Sequence, residues 1–430
     1  MVFKQHGRQY DLVVFGATGY TGKFTAQHIT THLPTDLKWA VAGRSRDKLE
    51  QVVAQCKALN PDRRAPEIEI CNLDDTDLAS LAKKTFILIT TVGPYGKLGE
   101  HAFKACAENG THYLDVTGEV PFVARMIKKY EAAAKASGAL MFPQIGIESA
   151  PSDLVTWSMA SLIRSQLGAK IRDVTVSIHT LKSAPSGGTL NTALTIVENF
   201  TYDELRTAYK PFGLSPVPKP KSDSSTRPSW SSSLLSKVTG LATHPTLGLQ
   251  TTSIAGRTDA AIVGRTWGLL SVMPGAKQEN QSYGPNFSFR QYMKTRNWLG
   301  GIGIHYGIML LGLILVTSPL RWLAKRSVYQ PGEGQDVEEA KKNELEYRAV
   351  AQPDVDDAQQ QAYCRAWYHG PAYYLTGLLL SEAAVTILEQ HDLEKNLGGG
   401  GIYTPACLGQ PFIDRLDKAG FHFETKMMSL

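Results

Sequence analysis

Through the first third of the chain, short apolar runs that stop abruptly alternate with longer stretches spaced like helices. Residues 10–15 (YDLVVF) form a continuous apolar run of the kind that makes a strand buried on both faces. Residues 20–33 then have room for a helix, and residues 37–42 return to an apolar run. A helix is predicted over 47–59, and 67–72 (EIEICN) alternates like a third strand. Residues 85–92 (TFILITTV) are a nearly continuous fourth apolar run. A helix over 98–109, a strand over 111–116, a helix over 121–137 and a strand over 140–142 complete the series. Strands alternating with helices in this way predict a doubly wound parallel sheet.

From about residue 146 the rhythm changes. Residues 171–183 alternate like an antiparallel strand with one wetted face, and SGGTLNTALTIVENF reads as a glycine turn into a helix. The stretch 211–233, rich in Pro, Ser and Lys, reads as a surface excursion. Further on, 345–351 looks like a strand, 371–390 like a long apolar-faced helix, and 409–419 like an amphipathic helix before a last short strand. The expected class is therefore α/β: an N-terminal Rossmann-type doubly wound parallel sheet, then an α+β second domain carrying a long apolar segment. The expected division is 1–145, 146–395, and a C-terminal segment 396–430 packing back on the first domain.

Composition narrows the function classes. At 430 residues the chain is long enough for two domains, and 43% apolar with 20% charged residues is a globular balance. The net charge of +5 is spread out, with no basic run, zinc finger or aromatic–basic ladder, so no nucleic-acid partner is expected. Cys56, Cys71, Cys106, Cys364 and Cys407 are odd in number and widely spaced, which suggests neither a disulfide framework nor a metal site, and fits a reducing, intracellular setting. The N-terminus lacks the pattern of a secretory leader, because its first apolar run is the predicted strand itself.

Candidate chemistry lies where the strands end. Gly16, Gly19 and Gly22 follow the first strand at the spacing that allows a tight turn, a close approach to a diphosphate, and packing of the next helix, whose N–H groups face the anion. The end of the second strand meets the adenosine ribose in such a fold, and here it carries Arg44, Ser45 and Lys48 instead of a carboxylate. Arg44 offers a planar charged fork to a 2′-phosphate, so NADPH is favoured over NADH; ordinary solvated charges at a helix start are the alternative. The loop Gly93, Pro94, Tyr95, Gly96 after the fourth strand should border the nicotinamide. Tyr95 is the candidate catalytic proton donor for a hydride transfer, with packing or a ribose contact as its other reading. His112 reads as a core histidine, Asp115 lies on the same strand, and Ser152 and Asp153 read as the cap of the helix after Pro151. Cys106 reads as packing.

Residues 297–320 (NWLGGIGIHYGIMLLGLILVTSPL) hold no charged side chain over the length needed to cross a bilayer. Lys294, Arg296, Arg321, Lys325 and Arg326 flank the run, with Trp298 and Trp322 near its ends. A buried helix, a spanning helix, and a hairpin or shallow insertion that docks the protein on a membrane or lipid droplet are the three alternatives, and the last is preferred because Pro319 and the glycines suit a segment at an interface.

Together GATGYTG, WAVAGRSRDKL, TTVGPYGKLGEHAFKACAENGTHYLDVTGE, GIESAPSDL, SGGTLNTALTIVE and the late TPA tripeptide resemble the saccharopine dehydrogenase-like oxidoreductases, which are also similar to the trans-acting enoyl reductases. The resemblance spans nearly the whole chain. It implies cofactor contacts at Gly16, Thr18, Gly19, Tyr20, Thr21, Gly22, Arg44, Ser45 and Lys48, with Val92, Gly93, Pro94 and Tyr95 towards the nicotinamide. Glu148 stands where that family's pattern leads one to expect Asp. Arg164, Arg172 and Arg206 are isolated, which fits poorly with a substrate bearing several carboxylates and better with a lipophilic or carrier-bound one. The expected reaction is NADPH-dependent reduction of a C=C (enoyl) bond; a C=N reductase or a non-catalytic nucleotide-binding lipid-surface protein are the alternatives. Expected partners are a synthase or carrier protein, a lipid surface and a second copy of the chain.

Overall fold

In the computed structural model, residues 3–219, 234–274, 281–326 and 335–430 are described. Residues 220–233 of the expected surface excursion lie outside them.

Two seven-stranded sheets organise the chain. The first contains β1 (Tyr10–Phe15), β2 (Trp39–Gly43), β3 (Glu67–Ile70), β4 (Thr85–Thr90), β5 (His112–Asp115) and β6 (Leu140–Phe142). Their spatial order is β3-β2-β1-β4-β5-β6, all parallel. This is the doubly wound order, with its reversal between β1 and β4. Period-two alternation sends Leu12, Val14, Ile87 and Ile89 to one face and Val13, Phe15 and Leu88 to the other, all fully buried. Helices Tyr20–His32 and Ala372–Glu389 pack on the first face; helices Asp75–Lys84, Glu100–Asn109 and Val120–Ser137 cover the second.

The second sheet is mixed. It holds β7 (Ile171–Lys182), β8 (Ala242–His244), β9 (Gly248–Thr252), β10 (Ser288–Lys294), β11 (Glu344–Pro353) and β12 (Gln360–His369). The strand expected to be antiparallel, β7, pairs antiparallel with β11 but parallel with β10. Helix Ala150–Leu167 lies across β11 and β12, and joins their inward alanines and tyrosines in one apolar core.

The C-terminal segment serves both sheets. β13 (Gly401–Ile402) extends the first sheet beside β6, whereas β14 (His422–Ser429) pairs with β12 at the edge of the second. The last strand was expected against the first domain; its alternating Phe423 and Met427 instead complete the core beneath helix Ala150–Leu167.

The apolar run forms a 19-residue helix, Trp298–Val316, in which only Gly301 is buried. The buried-helix alternative is therefore set aside. Asn297 caps its start by accepting from the Gly300 N–H at 2.8 Å, and Thr251 and Thr252 of β9 tie down Gly301 and His305 at 2.7 Å each. Beyond the first turns it runs exposed into helix Ser318–Arg326. Among the described residues it is the one helix long and apolar enough to cross a membrane.

Candidate functional site

The turn after β1 has the shape a diphosphate requires. Gly16 adopts φ +89°, and a Cβ there would meet Val92 Cγ2 at 2.7 Å and Thr91 Oγ1 at 2.9 Å. The turns after β1 and β4 thus lie against each other at the sheet's reversal point, and the Thr91 hydroxyl fixes them by donating to the Gly16 carbonyl at 3.1 Å. A Cβ at Gly22 would strike the Gly16 carbonyl and, at 2.8 Å, the Ala17 Cα, so the following helix can approach the turn only without a side chain. Gly19 opens that helix with no side-chain cap, and no acidic residue sits in its first turn. Unsatisfied N–H groups and the positive helix end therefore face the turn together. Thr18 and Thr21 are half-buried beside them. The side chain of Tyr20 is engaged elsewhere: its hydroxyl donates to the Gln335 carbonyl at 2.9 Å and its ring meets Tyr373 edge-on.

At the end of β2, Arg44, Ser45 and Lys48 are exposed. Neither cation forms an ion pair among the described residues. The place where a ribose carboxylate would stand in an NAD-selective site thus holds two free cations and a hydroxyl. Asp74, after β3, caps helix Asp75–Lys84 by accepting from the Thr76 and Asp77 N–H groups, and Asp75 holds His101 and Lys104.

The loop after β4 is built on a buried carboxylate. Glu119 accepts from the Tyr95 N–H at 2.6 Å and the Gly96 N–H at 3.0 Å, and burial raises its carboxyl to about 7. Gly93 is exposed at the loop's crest, Val92 is half-buried and Pro94 is buried. Tyr95, expected to donate a proton to substrate, is 5% exposed, and its hydroxyl donates to the Thr90 carbonyl at 2.9 Å and receives the Val116 N–H. Burial drives its hydroxyl pKa well upward. The ring anchors the loop, and the expected role as proton donor is corrected accordingly. Behind it, Asp115 accepts from the Tyr113 hydroxyl and from the Thr117 and Gln144 N–H groups, while burial raises its carboxyl to about 6. His112 is a core histidine: it accepts from the Leu140 N–H at 3.0 Å, and burial lowers it to about 3.

Ser152 and Asp153 are not the cap of helix Ala150–Leu167. Ser149 occupies the cap position, and the Ser152 hydroxyl donates to Asp259 at 2.5 Å. Asp153 accepts from the Thr266 hydroxyl at 2.6 Å and the Ala406 N–H at 2.9 Å, and burial raises it to about 7. These groups bolt helix Gly256–Val272 and the TPA tripeptide to the first turn of helix Ala150–Leu167. Sequence spacing carries no signal for such a cluster, whose members lie more than a hundred residues apart. Glu119 was equally hidden, since nothing local shows that it reaches across to the β4 loop.

Comparison with known proteins gives the same reading of the first domain. Residues 12–141 match the family model described as the saccharopine dehydrogenase NADP binding domain. A rat protein called saccharopine dehydrogenase-like oxidoreductase is 30% identical over 466 residues, spanning 97% of each chain. A Mycobacterium leprae protein called trans-acting enoyl reductase is 25% identical over 441 residues, spanning 98% of this chain and 99% of its own. Among solved structures, the apo saccharopine dehydrogenase (L-Glu forming) of Saccharomyces cerevisiae aligns over 97% of this chain with a TM-score of 0.51 at 11% identity, which is a likeness of fold. The first domain binds NADP(H), and the glycine cradle, open helix end and Arg44 are the residues that fit it.

Proposed function

The chain belongs to the saccharopine dehydrogenase-like oxidoreductases, and within that family we propose that it is an NADPH-dependent reductase of the C=C bond of a lipophilic, thioester-borne substrate met at a lipid surface. The cofactor, when bound, supplies a hydride; the protein has to orient it, exclude water and deliver a proton.

The observation that carries the lipophilic reading is helix Trp298–Val316, with Met309 57%, Leu310 56% and Leu313 54% exposed on a folded chain. It does not stand apart from the candidate site. Helix Gly187–Asn199 touches it, touches helix Ser318–Arg326, and touches the turn Tyr95–Leu98. Glu198 on that bridging helix pairs with Arg321 at 3.0 Å and Lys325 at 2.9 Å, and Phe200 at its end lies where a Cβ on Gly96 would sit. An apolar face with Trp298 and Trp322 near its ends and exposed Lys294 and Arg296 before its start suits the interface of an anionic membrane or lipid droplet.

Second-unit arginines support the same choice. Arg172 pairs with Asp354, Arg290 with Asp173, and Arg265 donates to the Leu214 and Ile402 carbonyls. These cations are committed to the fold, whereas an amino-dicarboxylate substrate needs several free ones. The mycobacterial relative's name points to enoyl reduction as the chemistry.

The test is NADPH oxidation by the full chain with a trans-2-enoyl thioester, presented in solution as a short chain and in anionic vesicles as a long one, against an amino acid plus 2-oxo acid. Turnover of the enoyl substrates alone is expected. Leu310→Asp with Leu313→Asp should leave the soluble substrate's rate unchanged and abolish both vesicle flotation and turnover of the vesicle-borne one. Turnover only with the amino acid and oxo acid would replace the C=C reading by C=N reduction; a wild-type protein that fails to float with vesicles would remove the lipid surface.

A further inference from the structure

With Tyr95 turned inward, the reductase reading lacks a proton donor, and one loop at the carboxyl edge of the first sheet has the features of one. Loop Gln144–Ser149 follows β6, beside the loop that follows β5. A Cβ on Gly118 would lie 2.7 Å from Glu148 Oε2, and one on Gly146 would lie 3.5 Å from Val116 Cβ, so the two loops are in contact. Val116 in turn bonds to the Tyr95 hydroxyl, which places Glu148 in the layer next to the loop that borders the nicotinamide.

Three observations on this loop are independent of one another. Glu148 is exposed to solvent and has no hydrogen bond or ion pair among the described residues, yet surrounding protein raises its carboxyl. Glu148 is thus reachable by water while enough protein surrounds it to disfavour its charged form. Gln144 is 2% exposed with its Nε2 unpaired, and Ser149 is 1% exposed with its Oγ unpaired; buried polar groups rarely go without partners unless a ligand or water supplies them. Gln144 also holds φ +66°, a conformation uncommon for a side chain of this kind, and strain of this sort concentrates at ligand-holding positions.

We propose that Glu148 is the residue that protonates the substrate, with Gln144 and Ser149 supplying the polar contacts that orient it. This rests on the reductase reading. Once a hydride has reached the β-carbon, the C=C electron pair is held on the carbonyl side as an enolate. The Glu148 carboxylic acid gives its proton to the α-carbon, completing the C–H bond, and the carboxylate, which is exposed, recovers a proton from solvent. The substrate gains two electrons and two hydrogens, one from the cofactor and one from Glu148. The titratable groups coupled to Glu148 are Asp259 on helix Gly256–Val272, itself buried and bonded to Ser152 and Gln291, and Tyr347 on β11; burial pushes both well upward towards their neutral forms, so the pH response belongs to Glu148 itself.

A readout independent of turnover is the ratio of NADPH to NADP⁺ dissociation constants against pH. The oxidised nicotinamide is cationic, so ionising a nearby carboxylate tightens NADP⁺ but not NADPH. In wild type the ratio should favour NADP⁺ by roughly tenfold more at high than at low pH. Glu148→Gln should flatten that change and lower kcat, while Glu148→Asp should keep the pH dependence; thermal melting identifies a variant that has merely lost its fold, in which case Glu148→Asp carries the comparison through a shifted midpoint. An unchanged pH dependence in a folded Glu148→Gln protein would overturn the assignment. A pH dependence that requires Glu148 in a protein inert towards every enoyl thioester would keep Glu148 beside the nicotinamide and sink the C=C reading instead.

Discussion

Helices Ala372–Glu389 and Trp298–Val316 are 18 and 19 residues long, both are rich in Leu, and both carry small residues, Ala in the first and Gly in the second. One is buried at every position from Leu375 to Leu388; the other is buried only at Gly301. Their difference lies in what their small and polar residues meet. A Cβ on Gly377 would lie 2.7 Å from the Thr25 nitrogen and 2.8 Å from the Phe24 carbonyl carbon, so this glycine exists to let helix Tyr20–His32 approach. Glu382 bonds His28 at 2.9 Å and Arg415 at 2.8 Å. On the exposed helix, a Cβ on Gly303, Gly307 or Gly312 would meet nothing within 4 Å. Hydropathy alone does not distinguish a core helix from one whose partner is outside the chain; the environment of its glycines and polar groups does.

Breaking the buried helix's polar contacts should have the largest effect. Glu382→Ala removes the carboxylate that His28 and Arg415 share, leaving Arg415 with Glu389 and His28 with the Tyr374 hydroxyl, and is expected to cost about 3 kcal/mol in denaturant unfolding. A cost below about 1 kcal/mol would show that the interface is wetter than its burial indicates. Next in size, Gly377→Ala forces a methyl against backbone and should cost about 1–3 kcal/mol. Gly307→Ala, the matching change on the exposed helix, should stabilise by about 0.5–1 kcal/mol through helix propensity alone. Equal effects from the two alanines would erase the distinction between the helices.

The same contrast explains what could be read before the fold was known. The first sheet was legible because parallel strands buried on both faces are uninterrupted apolar runs, and because Gly16 takes a positive φ while Gly19 and Gly22 meet the backbone of the same turn. The hairpin β8–β9 and strands β10 and β12 were not, since LATHPTLGLQTT, FSFRQYMK and QQAYCRAWYH mix polar and apolar residues with no clean period. Candidate cofactor residues cluster in single turns that a motif can mark; Glu119, Asp259 and the orphaned Gln144 amide act across the fold and leave no such mark. Tyr95 illustrates the limit: the sequence places it in the loop after β4, while the direction of its hydroxyl is decided by Thr90 and Val116.

NADP(H) binding is assigned to the first domain, whose uncapped helix Tyr20–His32 and exposed Arg44 lie at the carboxyl ends of β1 and β2. Its most direct test is the pair of dissociation constants for NADPH and NADH in wild type and in Arg44→Ala. NADPH is expected to bind more tightly in wild type and to weaken by about tenfold or more in the variant, the scale of one lost charge-assisted hydrogen bond, while NADH changes little. Equal affinities for the two cofactors in wild type, or a parallel loss of both in the variant, would contradict it.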